Sequence, residues 1–194
     1  MARRSDHSKA QLEGIIFDAA NKLIEENSLE GLSARKLATD IGYTAGTIYS
    51  FYENLNELIL KVNGKTLDLL YKKIDKASST NKDKNKAVKA IAEAYLDYAK
   101  KDMNRFRALY EFNYGDQLPD WYQAKVKMIF DLIEGRLTAN QCSDTSEINA
   151  KVLWSGLHGI AILSLSGKLN NVKLKSSKLL LDSFVDIFLR GLAK

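Results

Sequence analysis

The chain has 194 residues, 45% of them hydrophobic and 27% charged, with one proline, one cysteine and two histidines. That length suits one compact unit or a small domain joined to a larger one, and the composition excludes disordered and collagen-like chains. A lone cysteine excludes a disulfide scaffold and a multi-cysteine zinc site, and two histidines give no histidine-rich centre, so no metal is expected; the function read below needs no bound cofactor. No uninterrupted apolar run is long enough to span a bilayer and the basic N-terminus lacks a signal-peptide core, so a cytoplasmic protein without membrane contact is expected. Net charge is +5, unevenly spread. Residues 1–55 carry −2, residues 56–110 carry +6 and residues 111–194 carry +1. Charge alone does not mark the N-terminal segment as a nucleic-acid binder.

Apolar residues recur at spacings of three and four, and proline is almost absent, so the chain reads as all-α. Leu12, Ile15, Ile16, Ala19, Ala20, Leu23 and Ile24 form one helical stripe. Two short helices follow, over 33–40 and 44–51, separated by Ile41, Gly42 and Tyr43. Asn54 suits the cap of a longer helix over 55–76. Ser78 to Asn81 read as a loop inside the lysine-rich 72–89 stretch, most simply a solvated helix end. Later helices are expected over 85–101, 103–114, 119–141, 145–167 and 174–192, about nine in all. Asp102 suits an N-cap, Pro119 a first helical turn, and Asp144 with Glu147 a capping-box start.

The segment 34–51 carries the most specific pattern. Ala38 is small where two helices would cross, Gly42 tolerates positive φ in the turn, and Leu37, Ile41 and Ile48 face a shared core. That is helix-turn-helix spacing; an ordinary pair of short core helices is the alternative. The run LSARKLATDIGYTAGTIYSFYENLNELI, residues 32–59, closely resembles the DNA-binding signature of TetR-family transcriptional regulators, and the flanking helices extend the match over residues 10–62. Farther on, Trp154, His158 and Gly159 resemble a Trp…His-Gly motif found in one subgroup of TetR ligand domains.

The resemblance implies an N-terminal three-helix DNA-binding domain over 1–54 and a larger effector-binding and dimerisation domain over 55–194. It implies that helix 44–51 enters the major groove of double-stranded DNA, with Thr44, Ala45, Gly46 and Thr47 nearest the bases and phosphates. Tyr49 would contact the backbone, although it equally suits core packing. Ser33 would offer its hydroxyl or N–H to phosphate. Arg35 would reach a base edge, where an arginine can pair bidentately with guanine. Arg3 and Arg4 would track the backbone as an arm. One departure stands out: the family often carries a phosphate-binding lysine where this chain has Leu55. Lys61 and Lys65 are the nearest replacements.

Nine of the eighteen aromatic residues fall between Tyr95 and Phe130. Tyrosines there suit either a ligand cavity or an aromatic core with hydroxyls at its rim. The candidate effector residues are Tyr95, Phe106, Tyr110, Trp121, Met128, Trp154 and His158, and their composition points to a mostly apolar or aromatic small molecule. Trp154 and His158 are four apart and share a helical face. Cys142 reads as a free thiol. The last two helices carry apolar stripes wider than one core face needs, and the resemblance assigns Leu157, Leu165, Leu180, Phe184, Ile187 and Phe188 to a homodimer interface. No paired carboxylates, nucleophile–histidine pair or phosphate loop points to an enzyme. The sequence therefore reads as a regulator, a repressor released from a palindromic operator by its effector. The other reading is a dimeric ligand-sensing module without sequence-specific DNA binding.

Overall fold

The computed structural model describes residues 7–115, 118–137, 143–174 and 176–192, with the side chains of residues 143 and 144 excepted. Arg3, Arg4, Cys142 and the Asp144 side chain lie outside the described residues. Among those described there are nine α-helices and no strand: α1 (Lys9–Asn27), α2 (Ala34–Ile41), α3 (Ala45–Tyr49), α4 (Leu55–Ser79), α5 (Lys84–Lys101), α6 (Met103–Glu111), α7 (Asp120–Leu137), α8 (Ser143–Leu165) and α9 (Ser177–Leu192). The all-α expectation holds. The chain divides into two compact units. The first comprises residues up to Thr66 with Asn104–Leu118, and the second Leu67–Met103 with Pro119 onward. The first thus reaches past residue 54 and takes in nearly all of α6.

In the first unit α1 begins three residues before its apolar stripe, because Ser8 and Gln11 form a reciprocal capping box. Ile16, Ala20, Leu23 and Ile24 of α1 bury against Leu37, Ile48, Leu58 and Val62. Each fully buried Leu or Ile contributes roughly 1.5–3 kcal/mol of transfer free energy. Ser33 caps α2 by accepting from the Lys36 N–H at 3.2 Å, and Asn54 caps α4 by accepting from the Glu57 N–H at 3.0 Å. The α6 segment is tied to the same unit by polar contacts. Asn104 donates to the Glu25 carbonyl at 2.8 Å and Arg105 pairs with the Glu25 carboxylate at 2.7 Å. Buried Asn63 donates to the Ala108 carbonyl at 2.9 Å.

In the second unit α8 packs against α5, α7 and α9. Its inward residues Ala150, Leu153, Leu157 and Ala161 are almost wholly buried. Ile91 of α5, Ile133 of α7, and Leu181 and Val185 of α9 complete the core. Ion pairs rim it: Lys89–Asp186 at 2.6 Å and Glu93–Lys178 at 2.7 Å join α5 to α9. Such exposed pairs contribute about 0–1 kcal/mol, so apolar burial holds the unit together.

Asp102 is the one residue between α5 and α6, so it precedes α6 as expected and also ends α5, its own N–H donating to the Tyr98 carbonyl at 2.9 Å. Two expectations change. Pro119 stands just before α7, where its carbonyl accepts from Tyr122 and Gln123. Thr145–Leu165 is, by length and composition alone, long and apolar enough to cross a membrane, with a mean hydropathy of 1.3. It contains no uninterrupted apolar run of that length, because Lys151 and small polar residues break the run without lowering the average far. Its apolar residues divide between a buried face and an exposed one, so the composition is accounted for by α8 lying at the centre of a helical unit.

Candidate nucleic-acid interface and effector cluster

The first unit presents α3 through a turn whose geometry follows from its residues. Gly42 ends α2 at φ 74°, ψ 30°, a left-handed conformation that a side chain would strain. The Gly42 and Tyr43 N–H groups donate back to the Thr39 and Ala38 carbonyls at 3.1 and 2.8 Å. Thr44 then caps α3, accepting from the Thr47 N–H at 3.3 Å, while the two threonine hydroxyls lie 3.1 Å apart. Ser50 donates to the Thr47 carbonyl at 2.7 Å. Ile48 is buried, whereas Thr44, Gly46 and Tyr49 are exposed and Ala45 and Thr47 half-buried. One residue anchors the helix and its neighbours face outward. Tyr49 is 51% exposed, which settles its placement against core packing. Ser33 and Arg35 are exposed at the start of α2.

The cationic replacements for the missing lysine do not fare equally. Lys61 lies 3.6 Å from both Glu13 and Glu57, and its ammonium sits 4.8 Å from the centre of the Tyr52 ring. Two carboxylates therefore compete with any phosphate for it. Burial, aided by the charges of Glu13 and Glu57, pushes the Tyr52 hydroxyl up to about 12, so it stays neutral. Lys65 is exposed.

The second unit brings together Tyr95, Trp154 and His158. The Tyr95 hydroxyl lies 2.8 Å from His158 Nδ1. The Trp154 and His158 rings stack one turn apart on α8, 5.1 Å between centroids and 20° from parallel. Phe130 of α7 meets Trp154 edge-on at 5.6 Å, a participant that the sequence reading missed. Burial pushes the Tyr95 hydroxyl well above its ordinary value, partly countered by its hydrogen bond with Trp154. Burial also lowers His158, which favours neutral imidazole. Of the other effector candidates, Phe106 and Tyr110 belong to the first unit, where their rings meet edge-on at 6.0 Å. Trp121 and Met128 are exposed on α7.

Residues 88–188, just over half of the chain, match the family model of the tetracyclin repressor-like C-terminal domain. The chain belongs to that family. It is a DNA-binding transcriptional regulator, as are the curated relatives it resembles. The uncharacterized HTH-type transcriptional regulator Rv0681 of Mycobacterium tuberculosis is 21% identical over 157 residues, covering 81% of this chain and 72% of that protein. The HTH-type transcriptional activator FasR of Mycolicibacterium smegmatis is 24% identical over 164 residues, with the same two coverages. Among solved structures, a protein of unknown function from Rhodococcus sp. RHA1 covers all of both chains at 20% identity with a TM-score of 0.80. The regulator FadR from Bacillus subtilis, solved in complex with stearoyl-CoA, covers 91% of this chain and 97% of its own at 14% identity, with a TM-score of 0.66.

On this TetR-type second unit, α8 and α9 carry the residues expected at a subunit contact. Ile187 is 65% exposed, and Leu165, Leu180, Phe184 and Phe188 are half-buried. Leu157 differs: it is 1% exposed and already belongs to the subunit's own core, because its position in the α8 repeat faces inward. Ile148, Val152, Leu163 and Leu179 are exposed apolar residues that the sequence reading did not select. The Phe184 ring rests on Gly156, where an added Cβ would fall 2.0 Å from its terminal carbon. That glycine provides the seat for the ring.

Proposed function

We propose that this TetR-type regulator is a homodimeric repressor that leaves a palindromic operator when a small molecule binds its second unit. The observation that carries the reading is the outward face of α3. Thr44, Ala45, Gly46, Thr47 and Tyr49 stand around a single buried anchor, Ile48, on a turn fixed by Gly42. A short helix so held offers small side chains to base edges and a phenol to the backbone, with Arg35 and Ser33 exposed at the start of α2. The exposed apolar residues of α8 and α9 support a contact between copies, since a contiguous apolar face usually meets another chain. Two copies would set two reading helices one DNA turn apart, about 34–36 Å, or somewhat farther.

The Tyr95–Trp154–His158 cluster supports an effector site for a largely apolar or aromatic molecule, with a few polar groups to orient it. Repression would end by population shift: the effector binds better to the conformation that fits the operator worse, and each ligand weakens the other by the same factor.

Fluorescence anisotropy on DNA selected from a random duplex pool tests the proposal. Wild type should bind a palindrome as a dimer. Arg35→Ala and Tyr49→Phe should weaken that binding by roughly 1–3 kcal/mol each, with the dimer intact by sedimentation. Intact dimers that select no sequence from the pool would favour the ligand-sensing module instead, and operator affinity that ignored both substitutions would overturn the assignment of α3 as the reading helix.

A further inference from the structure

The residues from Thr44 to Ser50, which form α3 and its caps, include no arginine, lysine, asparagine, glutamine, aspartate or glutamate. Those are the side chains that tell bases apart by paired hydrogen bonds or by donor and acceptor pattern. Arg35 and Lys36 belong to the exposed start of α2 instead. What α3 itself can show to a base edge is limited to two threonines, an alanine, a glycine, a tyrosine and a serine around buried Ile48.

The small hydroxyls on this face are engaged by the helix. Thr44 Oγ1 accepts from the Thr47 N–H at 3.3 Å and lies 3.1 Å from Thr47 Oγ1. The Ser50 hydroxyl donates to the Thr47 carbonyl at 2.7 Å. A hydroxyl that still reaches a base bonds donors and acceptors alike, so it discriminates little. Each threonine Cβ carries one other group, a methyl. With the hydroxyls turned to each other and to the helix N–H, the methyl is what exposed Thr44 and half-buried Thr47 offer outward. Serine would cap α3 as well and form the same hydroxyl pair, so the cap requires neither methyl. Gly46, between the two, adds no side chain. A Cβ placed there meets only the Thr44 hydroxyl oxygen, at 3.7 Å, so the face is uncovered at that point. In the major groove the apolar group on a base edge is the thymine 5-methyl, and threonine methyls are among the groups that contact it.

We propose that the γ-methyls of Thr44 and Thr47 contact thymine 5-methyl groups, which makes this pair the specificity determinant of α3 and places thymine where α3 meets each operator half-site. A methyl contact neutralises no phosphate, so its contribution is independent of salt. The proposal rests on α3 being the groove-entering helix and adds what that helix reads.

The test is a cycle between protein methyls and DNA methyls, read by anisotropy at two salt concentrations on a duplex that wild type has selected from a random pool. Uracil replaces each thymine in turn, in both half-sites together; it lacks only the 5-methyl. At one or two positions uracil should weaken binding about three- to fivefold for each half-site, with the salt slope unchanged. This arm uses the wild-type protein and needs no variant to fold. Thr44→Ser and Thr47→Ser keep both hydroxyls, so the dimer and the unfolding midpoint should stay in place. Each should weaken binding to the thymine duplex by a similar factor, and uracil at the position that threonine reads should then cost nothing more. Uracil tolerated at every position, selected half-sites without thymine, or uracil penalties that persist in full in both serine variants would each overturn the proposal. Tyr49→Phe separates that failure from the failure of the reading it rests on. If Tyr49→Phe still weakens binding, α3 meets DNA and only the methyl readout has failed. If Tyr49→Phe and both serine variants leave affinity unchanged, α3 is not the reading helix and both fall.

Discussion

The two units use tyrosine in opposite ways. Tyr49 ends the reading helix with half its surface in water and does not belong to the core. Tyr95 is buried, and its hydroxyl is bound to His158 beside a stacked indole. Removing the first hydroxyl leaves nothing unsatisfied inside the protein. Removing the second takes a hydrogen bond from a half-buried imidazole, a loss of the order of 1–3 kcal/mol. The difference separates two kinds of functional residue. In the first unit the residues proposed to read DNA stand outside the core, so function and stability should be separable there. In the second, the residues proposed to meet an effector are also part of what holds the unit together, and changing one should change both.

The largest effect should come from breaking the second kind of site where packing is tightest. Gly156→Ala places a methyl within 2.0 Å of the Phe184 ring, which must leave its seat and disturb the α8–α9 packing. Overpacking of this kind costs roughly 1–3 kcal/mol. Thermal unfolding should show a lowered midpoint, and sedimentation a weakened dimer. If the midpoint and the dimer both stay at wild-type values, α9 is not held by this seat, and the coupling of stability and assembly in the second unit is lost. The same change in the reading helix, Gly46→Ala, meets only the Thr44 hydroxyl at 3.7 Å, an ordinary contact, and should leave the fold untouched.

A smaller effect sharpens the comparison through pH. Burial lowers the His158 pKa from its ordinary value of 6.5. The unfolded chain therefore takes up a proton at a pH where the folded chain does not. The resulting stability is fully present above about 6.5 and is lost as pH falls through the lower folded value. Urea unfolding between pH 8 and pH 5 should show this decline, and His158→Phe should flatten it while lowering stability at the upper end. A wild-type profile that stays level below pH 6.5 would sink this account of the cluster.

How far each site was legible follows from the range of the interactions that build it. The α2–α3 turn depends on residues within a few positions of one another. Ser33, Gly42, Thr44 and Ile48 each announce a cap, a left-handed turn or a buried anchor in the residue type itself. The start of α1 was hidden because its stripe begins at Leu12 while the Ser8–Gln11 capping box extends the helix back to Lys9. In the second unit, the i, i+4 spacing of Trp154 and His158 predicted their meeting. Nothing local indicates that Tyr95 binds one of them, that Phe130 covers the other, or that Gly156 serves a ring 28 residues away. The inward turn of Leu157 was invisible for a related reason: α8 carries apolar residues on its buried and its exposed side alike, so its sequence does not say which side meets the core.

The smallest expected effect acts on the first unit alone. Leu55 is half-buried at the start of α4, beside exposed Glu53 and the Asn54 cap. Lys61, one and a half turns on, is engaged by Glu13 and Glu57. The first unit therefore offers one cation fewer there than the family pattern implies. Leu55→Lys should neutralise one more phosphate, raise operator affinity a few-fold and steepen the salt slope by about 0.9. Its aliphatic stem can cover the apolar surface that Leu55 covers while the ammonium extends to solvent, so the unfolding midpoint should move little. Affinity and slope rising together at constant stability would confirm that the reading face can be tuned without touching the core. A rise in affinity with no change in slope would instead mean that the substitution acts through the position of α4, and the independence claimed for the first unit would not hold at its border.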